Sequence, residues 1–593
     1  MKNFLHNKYR ILIFIFCFFL VFSIIFLKKI EPTLENKQFE HFTDSIFTSE
    51  LSSNTLNLHY TLAHPEKFGI KDYKISLGSM NEKAHSNSFS KLKSNQKRLK
   101  NFHYQKLSKE NQLTYDILSL EFSTQLSGEN FFWLQEPLSP HLGISSQLPI
   151  LLAEYTFRTG NDIKDYFSLL SCLPDYYNEL AEFESQKAKR GLFMSDASLE
   201  RLLAQCQTML SSDYLASAFK DKINSLQNAD TLTKKQADSY LSLHEKLIHT
   251  CVIPSYQSLS EKLSALKGSE KNDRGLAGFP DGTAYYHYLI QSQVGDFRST
   301  NEIEERLFTQ LALDYRQMQT LLSQNPSLAQ NLSVFSLSAT PEEMLSYLNK
   351  AMQTDFPDLD SPKYEVKYVP TSMEEFSSPA FYLTPPADTL SPNTIYINQS
   401  SQVNPAELFT TLAHEGYPGH LYQTNYFLST NPSPLRTFLH CDGYDEGWGT
   451  YAQLYSYNFT EFKDVDEKTQ AQLRQLYRDN DLLSLSLSSL SDLYVNYKNY
   501  DENALADYLK TYGIDKSATK QLYQYVIENP VTYLSYSIGY YELNKLEKEM
   551  AASLGKSFKI SDFHEAVLNV GSCNFAILSQ EIEKETEILS KVP

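Results

Sequence analysis

The chain opens on an unbroken apolar run, Ile11 to Leu27 (ILIFIFCFFLVFSIIFL), and then settles into amphipathic periodicity. A run of that length lies at the short end of what crosses a hydrocarbon core as a helix, roughly 17–25 residues. It predicts a spanning segment. From 31 to about 270 the spacing of apolar positions is helical: Leu243, Leu247 and Cys251 fall at four-residue steps, and Leu259, Leu263 and Leu266 resume the series after Pro254. This half is expected to be a helical layer that serves as scaffold and cleft wall. No internal repeat is evident.

Near 268 the pattern gives way to KGSEKNDRGLAGFPDG, rich in Gly, Pro and charge, which marks a loop and a boundary. The chain therefore reads as residues 1–30, a cytoplasmic N-terminus and anchor, then a helical region 31–270, then a catalytic region 271–593. Helix starts in the last region are well signed. Ser299 with Glu302 forms a capping-box pattern, and Thr340, Pro341 and Glu343 supply N-cap, first-turn proline and box partner. Between 364 and 400 the period shortens to that of strands in YEVKYVP, PAFYLTPP and TIYINQS, each bounded by Pro, Ser or Asn. The fold class expected is mainly α with a small β-sheet, α+β overall. Such a sheet can offer an edge strand whose backbone pairs with an extended peptide, or can be a plain supporting hairpin.

With 593 residues, 41% hydrophobic and 21% charged, the chain is long enough for a large core and more than one domain. Seventy-one acidic residues against 53 basic give a net charge of −18, which excludes a nucleic-acid surface built on clustered Lys and Arg. Six cysteines, with no CxxC pair, suggest neither a disulfide framework nor a thiolate cluster, so any metal must use His and carboxylate. Lys2, Lys8 and Arg10 precede the apolar run, and Lys28 and Lys29 follow it before Glu31 and Glu35, a bias toward a cytoplasmic N-terminus with the bulk outside. The run ends in IIFLKKIEP without a small-x-small site, so it reads as an uncleaved anchor. Phe16 before Cys17 argues against lipid attachment there.

Asn404, Pro405 and Glu407 announce a further helix that runs into LFTTLAHEGYPGHLYQ. A His followed directly by Glu, with a second His beyond, is the logic of zinc peptidases: imidazoles hold the metal and the adjacent carboxylate takes a proton from water. His420 follows His414 by six residues, which would set the rings about 120° apart on a regular helix. Pro418 lacks the N–H that would bond the His414 carbonyl, so the helix is expected to bulge or break and re-aim His420. For a third ligand the segment GYDEGWGTYAQLYSY offers Glu446, ranked first on its motif context, with Asp442 and Asp445 as rival carboxylates. Gly447 and Gly449 beside it would permit close helix approach.

HEGYPGHLYQ at 414–423, EGWGTYAQLYSY at 446–457 and NPVTYLSYSIGYYEL at 529–543, with FYLTPP and TIYIN upstream and LGKSFKISDFHEAVLNVG at 554–571, resemble the bacterial domain-of-unknown-function family numbered 885. The likeness covers roughly residues 40 to 590. It implies a largely helical, zincin-like peptidase fold with a deep central cleft, zinc held by His414, His420 and Glu446, Glu415 as general base, and Tyr536 as a donor to the oxyanion. Many members carry D-x-G-I/L-H where this chain has Asp492, Leu493, Tyr494, Val495 and Asn496, and an Arg-Tyr pair where it has Tyr525 and Val526. The expected activity is hydrolysis of peptide bonds, of short peptides first, by a membrane-anchored extracellular zinc enzyme. The rival readings are a catalytically silent peptide-binding ectodomain and a metal-dependent hydrolase of a non-peptide amide.

Overall fold

Ser299 and Glu302 close both halves of a capping box: the Ser299 hydroxyl accepts the Glu302 amide at 3.3 Å and the Glu302 carboxylate accepts the Ser299 amide at 2.9 Å. The helix they start runs Thr300–Gln324 (α1), and the Thr340–Glu343 box starts Pro341–Ala351 (α2) in the same way. This computed structural model describes residues 33–330, 339–369, 371, 374, 378–400 and 404–591. The apolar run at 11–27 lies outside the described residues, among which no helix is long and apolar enough to cross a membrane.

The first half is built of helices joined by loops, but one stripe falls out of phase. Lys234–Leu247 passes through a wide π-turn at Ile248–Val252 into Ile253–Ser264. Pro254 has no amide to give and its ring crowds the preceding turn, and the wide turn makes room for it. The extra residue rotates the face before the turn, so Leu243 is exposed while Ala237 and His244 are buried there; Leu259 and Leu263, beyond it, are buried as their spacing requires.

The three expected strands form one sheet: Tyr364–Tyr368 (β1), Ala380–Leu383 (β2) and Asn393–Ile397 (β3), in the order β1-β3-β2. β1 is parallel to the central strand and β2 antiparallel to it. Alternate residues of β3 serve different cores. Ile395 and Ile397 join the apolar cluster built mostly from residues 276–582, and Tyr396 joins the one built mostly from 56–263. The sheet thus bridges the two halves and is fixed from both faces.

Four helices complete the surroundings of the site: Pro405–Glu415 (α3), His420–Ser429 (α4), Asp442–Tyr455 (α5) and, after the long Glu467–Asn496 (α6), Thr532–Leu554 (α7). α5 and α7 meet backbone to backbone, because a Cβ on Gly447 would stand 2.5 Å from the Gly539 Cα. That contact sets Glu446, next to Gly447, and Tyr536, one turn before Gly539, against each other.

α7 starts from Val531, whose φ of +65° is a left-handed conformation uncommon for a β-branched residue. Asp492 on α6 anchors this turn: its carboxyl accepts from Tyr286 at 3.0 Å and Asn496 at 2.9 Å, and the Val531 amide faces it. Burial pushes Asp492 up to about 7, against the lowering effect of those hydrogen bonds. The folded chain therefore holds this proton more tightly than the unfolded one. Its contribution to stability is full near pH 4 and is lost as pH rises toward 7, with a slope of at most about 1.4 kcal/mol per pH unit. Asp492→Asn should flatten the decline of the thermal midpoint over that window; an unchanged profile would assign the decline to other groups.

Candidate metal centre

α3 carries His414 and Glu415 in its last turn and stops at Gly416, whose amide makes the final bond, to Leu412 at 2.9 Å. The break is complete rather than a bulge: residues 416–419 fold back over the end of α3, and α4 starts at His420 itself. Only glycine fits at 419, since a Cβ there would lie 1.8 Å from the His414 carbonyl oxygen. Trp448, buried on α5, donates its indole N–H to the Pro418 carbonyl at 2.9 Å and holds the turn in place. The imidazoles of His414 and His420 end 4.7 Å apart, centroid to centroid, with ring planes at 84°.

α5 brings Glu446 to the same point. Its Oε2 lies 3.4 Å from His414 Nε2 and 3.7 Å from His420 Nε2, and the three ligand atoms fall within 4.8 Å of one another. Tetrahedral zinc with bonds of about 2.0–2.1 Å sets its ligand atoms about 3.3 Å apart, close to the two His–Glu separations. Oε2 is buried and makes no hydrogen bond, so the imidazoles converge on it without satisfying it. A cation between the three would. His414 Nδ1 meets Gln453 Oε1 at 3.2 Å and His420 Nδ1 meets Gln423 Oε1 at 3.4 Å, contacts that engage Nδ1 of each ring and leave Nε2 as the nitrogen that faces Glu446. Asp445 is engaged elsewhere, with Ser572 Oγ at 3.1 Å and His440 Nδ1 at 3.3 Å, and Asp442 lies outside the cluster.

Electrostatics of the metal-free cluster follow the same convergence. Burial works to raise the Glu446 carboxyl, but the two imidazoles override it and hold it well below the carboxylate range. Burial likewise works against charge on His420, and Glu446, with Glu415 and Asp445 behind it, raises the imidazole to about 9. Glu415 is raised by burial, which outweighs the lowering by His414 and His420. Tyr536 is raised well above the usual phenol range, first by Glu446 and then by burial, so it stays a proton donor.

Glu415, His420, Glu446 and Tyr536 all line one cavity of about 590 Å³, whose far wall includes Ala380, Phe381 and Tyr382 of β2. β2 is an edge strand, and the Tyr382 amide points away from β3 to donate to Glu415 Oε2 at 2.9 Å. Three residues of this arrangement escaped the sequence reading. Gln423 and Gln453 do stand at helical intervals from His420 and Glu446, three and seven residues on, inside the quoted motifs, and that spacing was the available signal. Tyr382 acts through its backbone, which no side-chain pattern reports. Removing Gln453 by change to Ala should weaken zinc binding by about 10–100-fold without removing a ligand. Competition against a chelator of known affinity measures it; an unchanged affinity would mean that Gln453 does not orient His414.

The positions that depart from the resemblance do not line this cavity, although Tyr525 is close enough to act on Glu446 and Tyr536 electrostatically. Asp492 and Asn496 belong to the buried network under α7, where Asn496 also donates to the Val526 carbonyl at 2.9 Å and accepts from the Leu276 amide at 2.9 Å. Tyr525 packs its ring 5.3 Å from His141 and 5.1 Å from Tyr533.

A solved structure from Colwellia psychrerythraea, described as a "putative lipoprotein", matches with a TM-score of 0.81 at 19% identity over 93% of this chain and 99% of its own. Another, from Shewanella oneidensis and described as a "putative lipoprotein of unknown function", matches with a TM-score of 0.61 at 16% identity over 91% of this chain and 99% of its own. Both likenesses are of fold. No curated relative matches. The model of the family described as bacterial protein of unknown function, DUF885, matches residues 65–582, a span that includes His414, His420 and Glu446. The chain belongs to the DUF885 family.

Proposed function

We propose that the protein is a zinc-dependent metallopeptidase of zincin-like design that hydrolyses short peptides. The observation that carries this reading is the meeting of His414 Nε2, His420 Nε2 and an otherwise unbonded Glu446 Oε2 beside Glu415 in an open cavity. Three protein ligands with a position left open suit catalytic zinc better than structural zinc. Zinc, when bound, supplies Lewis acidity toward water and a substrate carbonyl. Glu415 takes the proton of the attacking water on its carboxylate and delivers it to the leaving amine; its raised affinity for protons suits it to both acts. Tyr536 donates its phenolic proton toward the carbonyl oxygen as negative charge gathers there. Apart from the Tyr382 amide, which Glu415 holds, the outer edge of β2 can pair with an extended peptide, which favours a peptide over a compact amide.

The apolar run at 11–27 supports attachment to a membrane with the catalytic region outside. The two structural neighbours are described as lipoproteins, a different tether, and Phe16 before Cys17 speaks against it in this chain. The test uses the full chain in mild detergent. Elemental analysis should find about one zinc per chain, and mass spectrometry of a defined peptide mixture should show cleavage that a chelator stops and zinc restores. A protein that takes up no stoichiometric metal after reconstitution, or holds zinc and cuts nothing, overturns the reading.

A further inference from the structure

The cavity that holds the metal cluster also holds a buried cation without a counter-charge. Arg436, in the short helix Pro434–Thr437, is 5% exposed and lines the same cavity as Glu415, His420 and Glu446. Its Nη2 donates to the Val570 carbonyl at 2.7 Å and, at 3.4 Å, to that of Ser572. Its Nε is buried and makes no hydrogen bond, and among the described residues Nη1 makes none and no carboxylate comes within ion-pair distance. The guanidinium carbon stands 5.7 Å from the centre of the Phe427 ring, which also lines the cavity.

A guanidinium does not escape burial by losing its proton. Left without an anion in a low-dielectric wall it is costly, and two carbonyls on one nitrogen do not balance a full charge. Of the acidic groups that could answer it, Asp445 bonds Ser572 and His440, Glu446 belongs to the candidate metal cluster, and Glu110 acts on it only from a distance, exposed to solvent and outside ion-pair reach. What remains is an unbalanced positive charge, with Nη1 as its uncommitted donor, in the wall of a cavity sized for a small ligand, and a carboxylate is the group that would balance it.

We propose that Arg436 binds a carboxylate of the substrate, the C-terminal carboxylate of a short peptide or the acidic side chain of a residue near it. The inference rests on the peptidase reading for the identity of the ligand, and on Arg436 itself for the charge. It narrows the substrate class to peptides whose negative end reaches Arg436 while a peptide bond lies at the metal cluster.

The experiment compares one tetrapeptide as free acid, as C-terminal amide, and as an amide carrying Glu at its last position, on the full zinc-loaded chain. The free acid should exceed the amide at least tenfold in kcat/KM, with the difference in KM. Arg436→Gln should bring the two together and Arg436→Lys should keep part of the preference. If the Glu-bearing amide exceeds the plain amide while the free acid does not, the carboxylate is a side chain's and the proposal stands. Equal use of all three peptides by the wild type, or an equal loss of all three in Arg436→Gln, would give Arg436 a purely structural role and overturn it. Binding of the same peptides to zinc-loaded Glu415→Gln separates this idea from the peptidase reading. Acid-selective binding by a wild type that cuts nothing sinks the reading alone, cleavage without selectivity sinks the inference alone, and neither binding nor cleavage sinks both. Should Arg436→Gln fail to fold, the wild-type contrast and Arg436→Lys still decide.

Discussion

Glu415→Gln is expected to retain zinc and to lose about 10²–10⁴-fold in peptide hydrolysis, the range for removal of a positioned general base. The amide is nearly the shape of the carboxylate and its oxygen can still accept the Tyr382 amide, which Glu415 Oε2 receives at 2.9 Å. Packing at the end of α3 is therefore kept. Nor is Glu415 one of the three convergent ligands, so the metal cluster loses nothing directly. What disappears is the ability to take up a proton from water and return it to the amine. His420→Ala is the contrasting variant, because it removes one of two imidazoles and should lose zinc and activity together. Zinc content by elemental analysis and single-substrate kinetics on the two proteins provide the check. Near-normal turnover in metal-replete Glu415→Gln would give the base to another residue.

The elements written in short-range chemistry were legible in the sequence. Caps at Ser299, Thr340 and Asn404 name their own helices, because side-chain acceptors for orphan amides lie within three residues. The strands at 364–397 show alternation and bounding prolines, although nothing local reports that β3 is central and β2 an edge, since strand order is a long-range property. The break at Gly416–Gly419 followed from Pro418 and from the six-residue interval between histidines that a straight helix cannot join. Leu243 was misread because a periodic stripe assumes constant phase, and the π-turn at Ile248–Val252 changes it. Arg436 could not be picked out of PSPLRTF at all. Its burial is set by Val570 and Ser572, more than 130 residues away.

Gly449→Ala should strip the site of zinc affinity while leaving the fold intact. Gly449 is one turn beyond Glu446 on α5, on the face that meets α3, and a Cβ built there stands 2.6 Å from His414 Nε2 and 2.7 Å from its Cε1. No real Cβ sits so close, so either the ring or the helix must give way. The helix is fixed where Gly447 meets Gly539, which leaves the imidazole to turn aside. Turning costs it the Gln453 contact and moves Nε2 out of line with Glu446, so a ligand is lost without any ligating residue being changed. Two ligands in place of three should weaken zinc binding by at least a hundredfold. Alanine is also the better helix former, by about 1 kcal/mol, so the metal-free variant should melt no lower than the metal-free wild type. That pairing separates a blocked site from a damaged fold. Chelator competition and thermal melts with and without zinc measure the two halves, and wild-type affinity in Gly449→Ala would show that the metal is not bound where His414, His420 and Glu446 converge.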